Sequence, residues 1–267
     1  MNIFSPTSGS KDILTIGRYV VAIGLIIFGI QNFIYHDFIA GRAPSWPEGD
    51  TVKSIWVYFS GCVFIIAGVL LALGKHGRVY LILTALMVLV WALFRHIPVL
   101  VNIHLRWGGE LTNAGKALTI FGGLLAATAL LPQEHNGLAS RLSGVINPTK
   151  IYTISGRYCM GIFLIICGYE HFLFVEFVKT LVPVWIPGDV FWTYFAGVAL
   201  IAGGIGLCIP KTAPLAGLLT GIMIFIWFAI LHLPRALSAN DQNEWTAVAE
   251  AFIFSGIAFI LTRRTDR

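Results

Sequence analysis

The stretch GRYVVAIGLIIFGIQNF, Gly17 to Phe33, aligns residue for residue with GRYCMGIFLIICGYEHF, Gly156 to Phe172. Each is almost continuously apolar, with an arginine at its start and polar or ionisable side chains (Gln31 and Asn32, Glu170 and His171) at its end. At about 1.5 Å of rise per residue, such a run with its flanks approaches the roughly 20 residues needed to cross a hydrocarbon core about 30 Å thick. The absence of strict alternation between apolar and polar positions selects helices over the strands of a membrane barrel. One segment occurring twice, more than a hundred residues apart, predicts a tandem duplication.

Working outward, eight apolar runs emerge: 13–34, 54–73, 79–97, 112–131, 151–174, 190–209, 213–233 and 246–261. The fourth and eighth are the shortest. The expected fold is all-α, a polytopic integral membrane protein with eight transmembrane helices arranged as two parallel four-helix repeats. Composition agrees. Of 267 residues, 57% are hydrophobic and 12% charged, and the mean hydropathy is +0.81, whereas a soluble domain carries about 25% charged residues. The polar N-terminal residues lead straight into the first run with no small-residue cleavage site, so no removable signal peptide is expected. Cys62, Cys159, Cys167 and Cys208 all lie within apolar runs and lack metal-ligand or C-x-x-C spacing. They read as reduced residues of the helix interiors.

The net charge of +5 does not indicate nucleic acid, because its distribution follows the spans. Placing the even loops and both termini on one side gathers Lys11, Arg18, Lys75, Arg78, Arg157 and Lys211 there with few acids. The positive-inside rule then makes that side cytoplasmic and the location the cell membrane.

The repeat extends beyond its first helix. IWVYFSG from Ile55 matches FWTYFAG from Phe191, LTALMVLVWALFRHIP from Leu83 matches LTGIMIFIWFAILHLP from Leu219, and GELT from Gly109 matches NEWT from Asn243. The expected units are 1–131 and 151–267, joined by a polar cytoplasmic linker over 132–150. An even number of spans per unit inserts both copies in the same direction, related by a pseudo-two-fold axis near the membrane normal.

The second unit resembles the DoxX-like family of bacterial four-helix membrane proteins. The resemblance is carried by GYEHF at Gly168 to Phe172, VPVWIP at Val182 to Pro187, the following FWTYFAG, GLCIPKTAPLAGLL from Gly206, and the H-x-P ending at Pro234. The first unit is a diverged copy in which Gln31 and Asn32 replace the glutamate and histidine. The resemblance implies a membrane subunit of a redox system, either non-catalytic or quinone-interacting, with soluble or membrane redox partners and quinone as the candidate ligand.

Ionisable groups within or beside spans are costly and so are candidates for function. Glu170 and His171, at the outer end of the fifth run, are the first pair, although neighbours on a helix point about 100° apart. A water-reaching interfacial role is the alternative. His96 and His232 occupy equivalent positions, each followed by x-Pro. They read either as helix stops with an interfacial histidine or as a pair lining a shared cavity; a haem held by both would require them to converge. Trp46 and Trp185, beside prolines in the outer first loops, read as interfacial anchors or as the wall of a site for a flat lipophilic ligand. Asp37, Glu176 and Asn32 complete the candidates. Arg18 and Arg157 are expected to snorkel to the headgroups. No metal site is expected. The leading expectation is a quinone-binding or other lipophile-binding subunit with its pocket near the extracytoplasmic face. The alternatives are a carrier for a small apolar or weakly acidic solute, and a scaffold for a soluble partner.

Overall fold

The computed structural model describes residues 8–39, 51–75, 77–102, 108–132 and 148–265. Trp46, His76, His104, His135 and nearly all of the expected linker lie outside the described residues. Among those described, every regular element is helical. The long helices are α1 (Ser8–Tyr35), α2 (Thr51–Leu73), α3 (Arg78–Asn102), α4 (Gly109–Ala127), α5 (Pro148–Leu173), α7 (Asp189–Cys208), α8 (Ala213–Trp227) and α10 (Gln242–Ile260). Two short helices, α6 (Val175–Val178) and α9 (Leu233–Ala239), complete the set.

Among the described residues, six helical stretches are long and apolar enough to cross a membrane: 11–35, 51–73, 78–99, 148–173, 189–208 and the composite 213–239. Their outward faces carry large apolar side chains such as Ile34, Ile55, Phe94, Ile162, Val198 and Leu215. A belt of that extent on a water-soluble protein would drive aggregation; in lipid it is the natural surface. The remaining long helices, α4 and α10, are 19 residues each. They are less apolar because their neighbours enclose them: α10 buries thirteen residues from Thr246 to Ile260 and shows no large exposed hydrophobic side chain. A helix shielded from lipid by protein can carry Glu110, Lys116, Glu244 and Glu250.

The enclosure follows from the packing. α1 lies against α2 and α10, α5 lies against α7 and α4, and α4 and α10 touch each other. α3 flanks α4, and α8 flanks α10. Two crossings use aligned glycines. A Cβ on Gly29 would stand 2.5 Å from the Gly61 carbonyl oxygen, and one on Gly168 would stand 2.7 Å from that of Gly197. Gly68 faces the Ala22 carbonyl and Ile26 as Gly204 faces the Gly161 carbonyl and Ile165. These positions admit no side chain, so the backbones meet.

The prolines expected to end helices do not end them. α3 runs through Pro98 to Asn102. On the other side, α8 passes through a π-turn over Phe228–His232 into α9, which has Pro234 in its first turn. Proline supplies no N–H to the preceding turn, and the wider π spacing absorbs the interruption without breaking the rod. Asn240, in the left-handed region at φ 49°, closes α9. Asp241 then caps α10, its Oδ1 accepting from the Glu244 N–H at 3.0 Å.

Candidate functional site

The functional groups gather around the N-terminal halves of α4 and α10. Glu170, near the end of α5, is 7% exposed. Its Oε1 accepts from the Gly108 N–H at 2.8 Å and its Oε2 accepts from the Thr112 hydroxyl at 2.7 Å. The aligned residue of α1, Gln31, does the corresponding thing with α10: its Nε2 donates to the Trp245 carbonyl at 3.0 Å, and Thr246 donates to its Oε1 at 3.4 Å.

One turn further along, on the same faces as Thr112 and Thr246, stand Lys116 and Glu250. The Lys116 Nζ lies 3.0 Å from Glu250 Oε2. Glu250 is 3% exposed and the Lys116 side chain 26%. At the helical rise this pair sits about 10 Å in from the start of α4. Opposite charges joining the two helices at that depth are costly to desolvate and compensate each other, since either one buried alone would be strongly destabilising. The field of Lys116 also reaches Cys167 and His232. Closer to the start of α4, Glu110 holds Arg95 (Nη2 to Oε1, 3.3 Å) and His96 (Nδ1 to Oε2, 3.0 Å). With a carboxylate as partner, the Nδ1 of His96 carries the hydrogen.

Glu170 and His171 diverge, as their helical spacing requires. His171 uses Nδ1 on the Cys167 carbonyl at 2.7 Å and stacks on Trp227 with ring centres 6.5 Å apart. His96 is committed to Glu110, while His232 sits in the π-turn under the charges of Lys116, Glu244 and Arg235. Asp37 pairs with Lys53 at 2.9 Å. Glu176 is 86% exposed and pairs with Lys179 at 2.7 Å, and its hydrogen bond and charge raise the lysine's pKa above its ordinary value. Asn32 is buried and donates to the Val57 carbonyl at 3.1 Å. Arg157 does not snorkel: it is 3% exposed, and its guanidinium donates to the Leu261 and Arg263 carbonyls and to Thr265, closing the C-terminal end of α10.

Trp185 is 70% exposed and borders an open groove of about 540 Å³, within the range of small-molecule sites. The groove runs between the 180–185 segment and the π-turn with α9. Leu181, Val184, Ile230 and Leu231 supply apolar walls, while Arg235 and Glu244 bring an ion pair to its margin at 2.7 Å. Neither Glu170 nor His171 is among its walls. The structure therefore separates the expected site into an enclosed polar seam, holding Glu170, and an open groove, holding Trp185.

Lys116, Glu250, Glu110, Arg235 and Glu244 did not emerge as candidates from the sequence. One signal was present: extending the match of GELT with NEWT by four residues sets Lys116 opposite Glu250. Equivalent positions with opposite charge, on helices that meet, are a pairing signal.

A model of a family described as a domain of unknown function, DUF8561, matches residues 160–253. The matched stretch contains Glu170, Trp185, the π-turn, the Arg235–Glu244 pair and Glu250. Searches of curated proteins and of solved structures found no match. Among the described residues, fold and composition together define an all-helical protein with six helices long and apolar enough to cross a membrane.

Proposed function

We propose that this chain is a multi-pass protein of the cell membrane that binds a small lipophilic molecule with a polar head, quinone being the first candidate, in the groove beside Trp185. The groove itself carries the reading. Its walls are mostly apolar, and the polar groups that line it are few: the Arg235 guanidinium, the Glu244 carboxylate and the Ser238 and Thr180 hydroxyls. A ring with carbonyl or hydroxyl groups at one end and an apolar tail at the other suits that arrangement.

The reading includes eight spans in two tandem units of the same orientation, with both termini cytoplasmic and the groove on the outer side. The aligned glycine crossings, and the matched bonds of Gln31 with Thr246 and of Glu170 with Thr112, support the duplication. The similarity of the second unit to DoxX-like proteins supports a redox setting. The π-turn favours a second reading, a carrier for a small apolar or weakly acidic solute, since interrupted helices line the sites of many carriers.

Binding is tested with purified full-length protein and a short-chain quinone, followed by quenching of tryptophan fluorescence. Trp185→Ala and Arg235→Met are each expected to weaken binding about tenfold, the effect of losing roughly 1.4 kcal/mol at an aromatic or charged anchor. Glu170→Gln is expected to leave it unchanged. Wild-type affinity in both groove variants removes the site; solute uptake by proteoliposomes favours the carrier.

A further inference from the structure

Asn32 and His171 occupy aligned positions, as do Trp91 and Trp227. In the second unit the imidazole of His171 stacks on Trp227. In the first, asparagine is too short to reach across in the same way, and a small space of about 20 Å³ is lined by both Asn32 and Trp91. Phe28, Phe38, Ile39, Phe64, Val88 and Ile120 line the rest, with Ser60 from α2.

The polar atoms of this space are not satisfied among themselves. The Asn32 amide orientation is set by its Nδ2, which donates to the Val57 carbonyl at 3.1 Å. The Oδ1 is buried and accepts no hydrogen bond from the described residues. Asn32 as a whole is 1% exposed, so bulk solvent does not supply the missing donor. Ser60, also 1% exposed, accepts from the Trp91 indole N–H at 3.3 Å and keeps its own hydroxyl hydrogen to give. A buried amide oxygen left without a donor carries its full desolvation penalty.

We infer that this space is a binding site for a single water molecule, which donates to Asn32 Oδ1 and accepts from the Ser60 hydroxyl. The size fits. A void needs on the order of 10–15 Å³ of space for water centres to hold one water, and two or more polar partners to keep it. A purely apolar pocket would stay dry, whereas this one has an acceptor and a donor. The two units thus fill the same place beside a tryptophan that recurs in register, Trp91 and Trp227, with different groups: the first with solvent, the second with an imidazole ring. The inference is independent of any ligand in the groove beside Trp185.

A structure of the full chain at a resolution that shows ordered water, near 2 Å, tests it. A peak within hydrogen-bond distance of both Asn32 Oδ1 and Ser60 Oγ is expected. In Asn32→His the ring is expected to lie over Trp91 and the peak to vanish. An empty space in the wild type, or density continuous with a lipid chain, overturns the inference. A second readout uses 5-fluorotryptophan at position 91, assigned with Trp91→Phe. Its ¹⁹F resonance should shift between H₂O and D₂O in the wild type and lose that shift in Asn32→His. No isotope shift in the wild type, or an undiminished one in Asn32→His, overturns it equally.

Discussion

Removing Lys116 should destabilise the protein more than any loss of packing at that position explains. In Lys116→Met the side-chain volume is nearly kept, but Glu250, 3% exposed and 3.0 Å from the ammonium, loses its cationic partner. Breaking a buried pair from one side costs about 3–5 kcal/mol. Because the Lys116 side chain retains 26% exposure, the lower end applies, about 3 kcal/mol. At roughly 2–4 °C per kcal/mol for a chain of this size, melting should fall by about 6–12 °C. Glu250→Gln should cost less, since the amide oxygen can still accept from Lys116. The exchange Lys116→Glu with Glu250→Lys places the same two charges at interchanged positions and should recover most of the loss. The assay is thermal unfolding of the full chain in detergent, read by tryptophan fluorescence, with wild type, Lys116→Glu, Glu250→Lys and the exchange treated as a double-mutant cycle. A melting temperature of Lys116→Met within a degree of wild type, or an exchange variant no better than the single reversals, would refute the reasoning.

Other expectations follow from individual contacts. Arg157→Leu should lower stability by about 2–4 kcal/mol, because the carbonyls closing α10 lose a buried charged donor; thermal unfolding measures it, and a neutral outcome contradicts the capping role. Gly204→Ala should also destabilise, by about 1–3 kcal/mol, since its Cβ would stand 2.5 Å from the Gly161 carbonyl oxygen; the same melt decides it. Glu170→Leu should cost about 2–3 kcal/mol through the stranded Gly108 N–H and Thr112 hydroxyl. Quinone binding at the groove should survive in that variant, and its loss would rejoin the seam to the groove. Cys62, exposed midway along α2, should react in membranes with a lipophilic maleimide and resist a charged, impermeant one; equal labelling by both contradicts lipid exposure.

Much of the helical skeleton was legible because a membrane span has a length requirement that few sequences meet by accident. The run expected at 54–73 is observed as Thr51–Leu73, and that at 190–209 as Asp189–Cys208. The errors fell where local rules meet tertiary structure. Proline predicts an end, yet α3 passes Pro98 and the composite of α8 and α9 passes Pro234 through a π-turn; neighbouring helices hold the rod together across the lost hydrogen bond. Arg157 looked like an interfacial arginine because its sequence position cannot reveal the Leu261 and Arg263 carbonyls, more than a hundred residues away. The candidate site was legible only as a list of costly residues. Periodicity placed Glu170 and His171 on different sides of α5, and they are so placed. It could not tell that Glu170 turns inward to Thr112 while Trp185 turns to a groove edged by Arg235 and Glu244.

Sidedness of aligned positions tests the central claim, that the two halves enter the membrane alike. In a cysteine-free background, Lys53→Cys and Asp189→Cys mark one end of α2 and of α7, and Lys75→Cys and Lys211→Cys mark the other. An impermeant maleimide applied to intact cells should label the first pair, and the second only after permeabilisation. Labelling of Lys53→Cys and Asp189→Cys from opposite faces of the membrane would contradict the duplication and the outward groove with it.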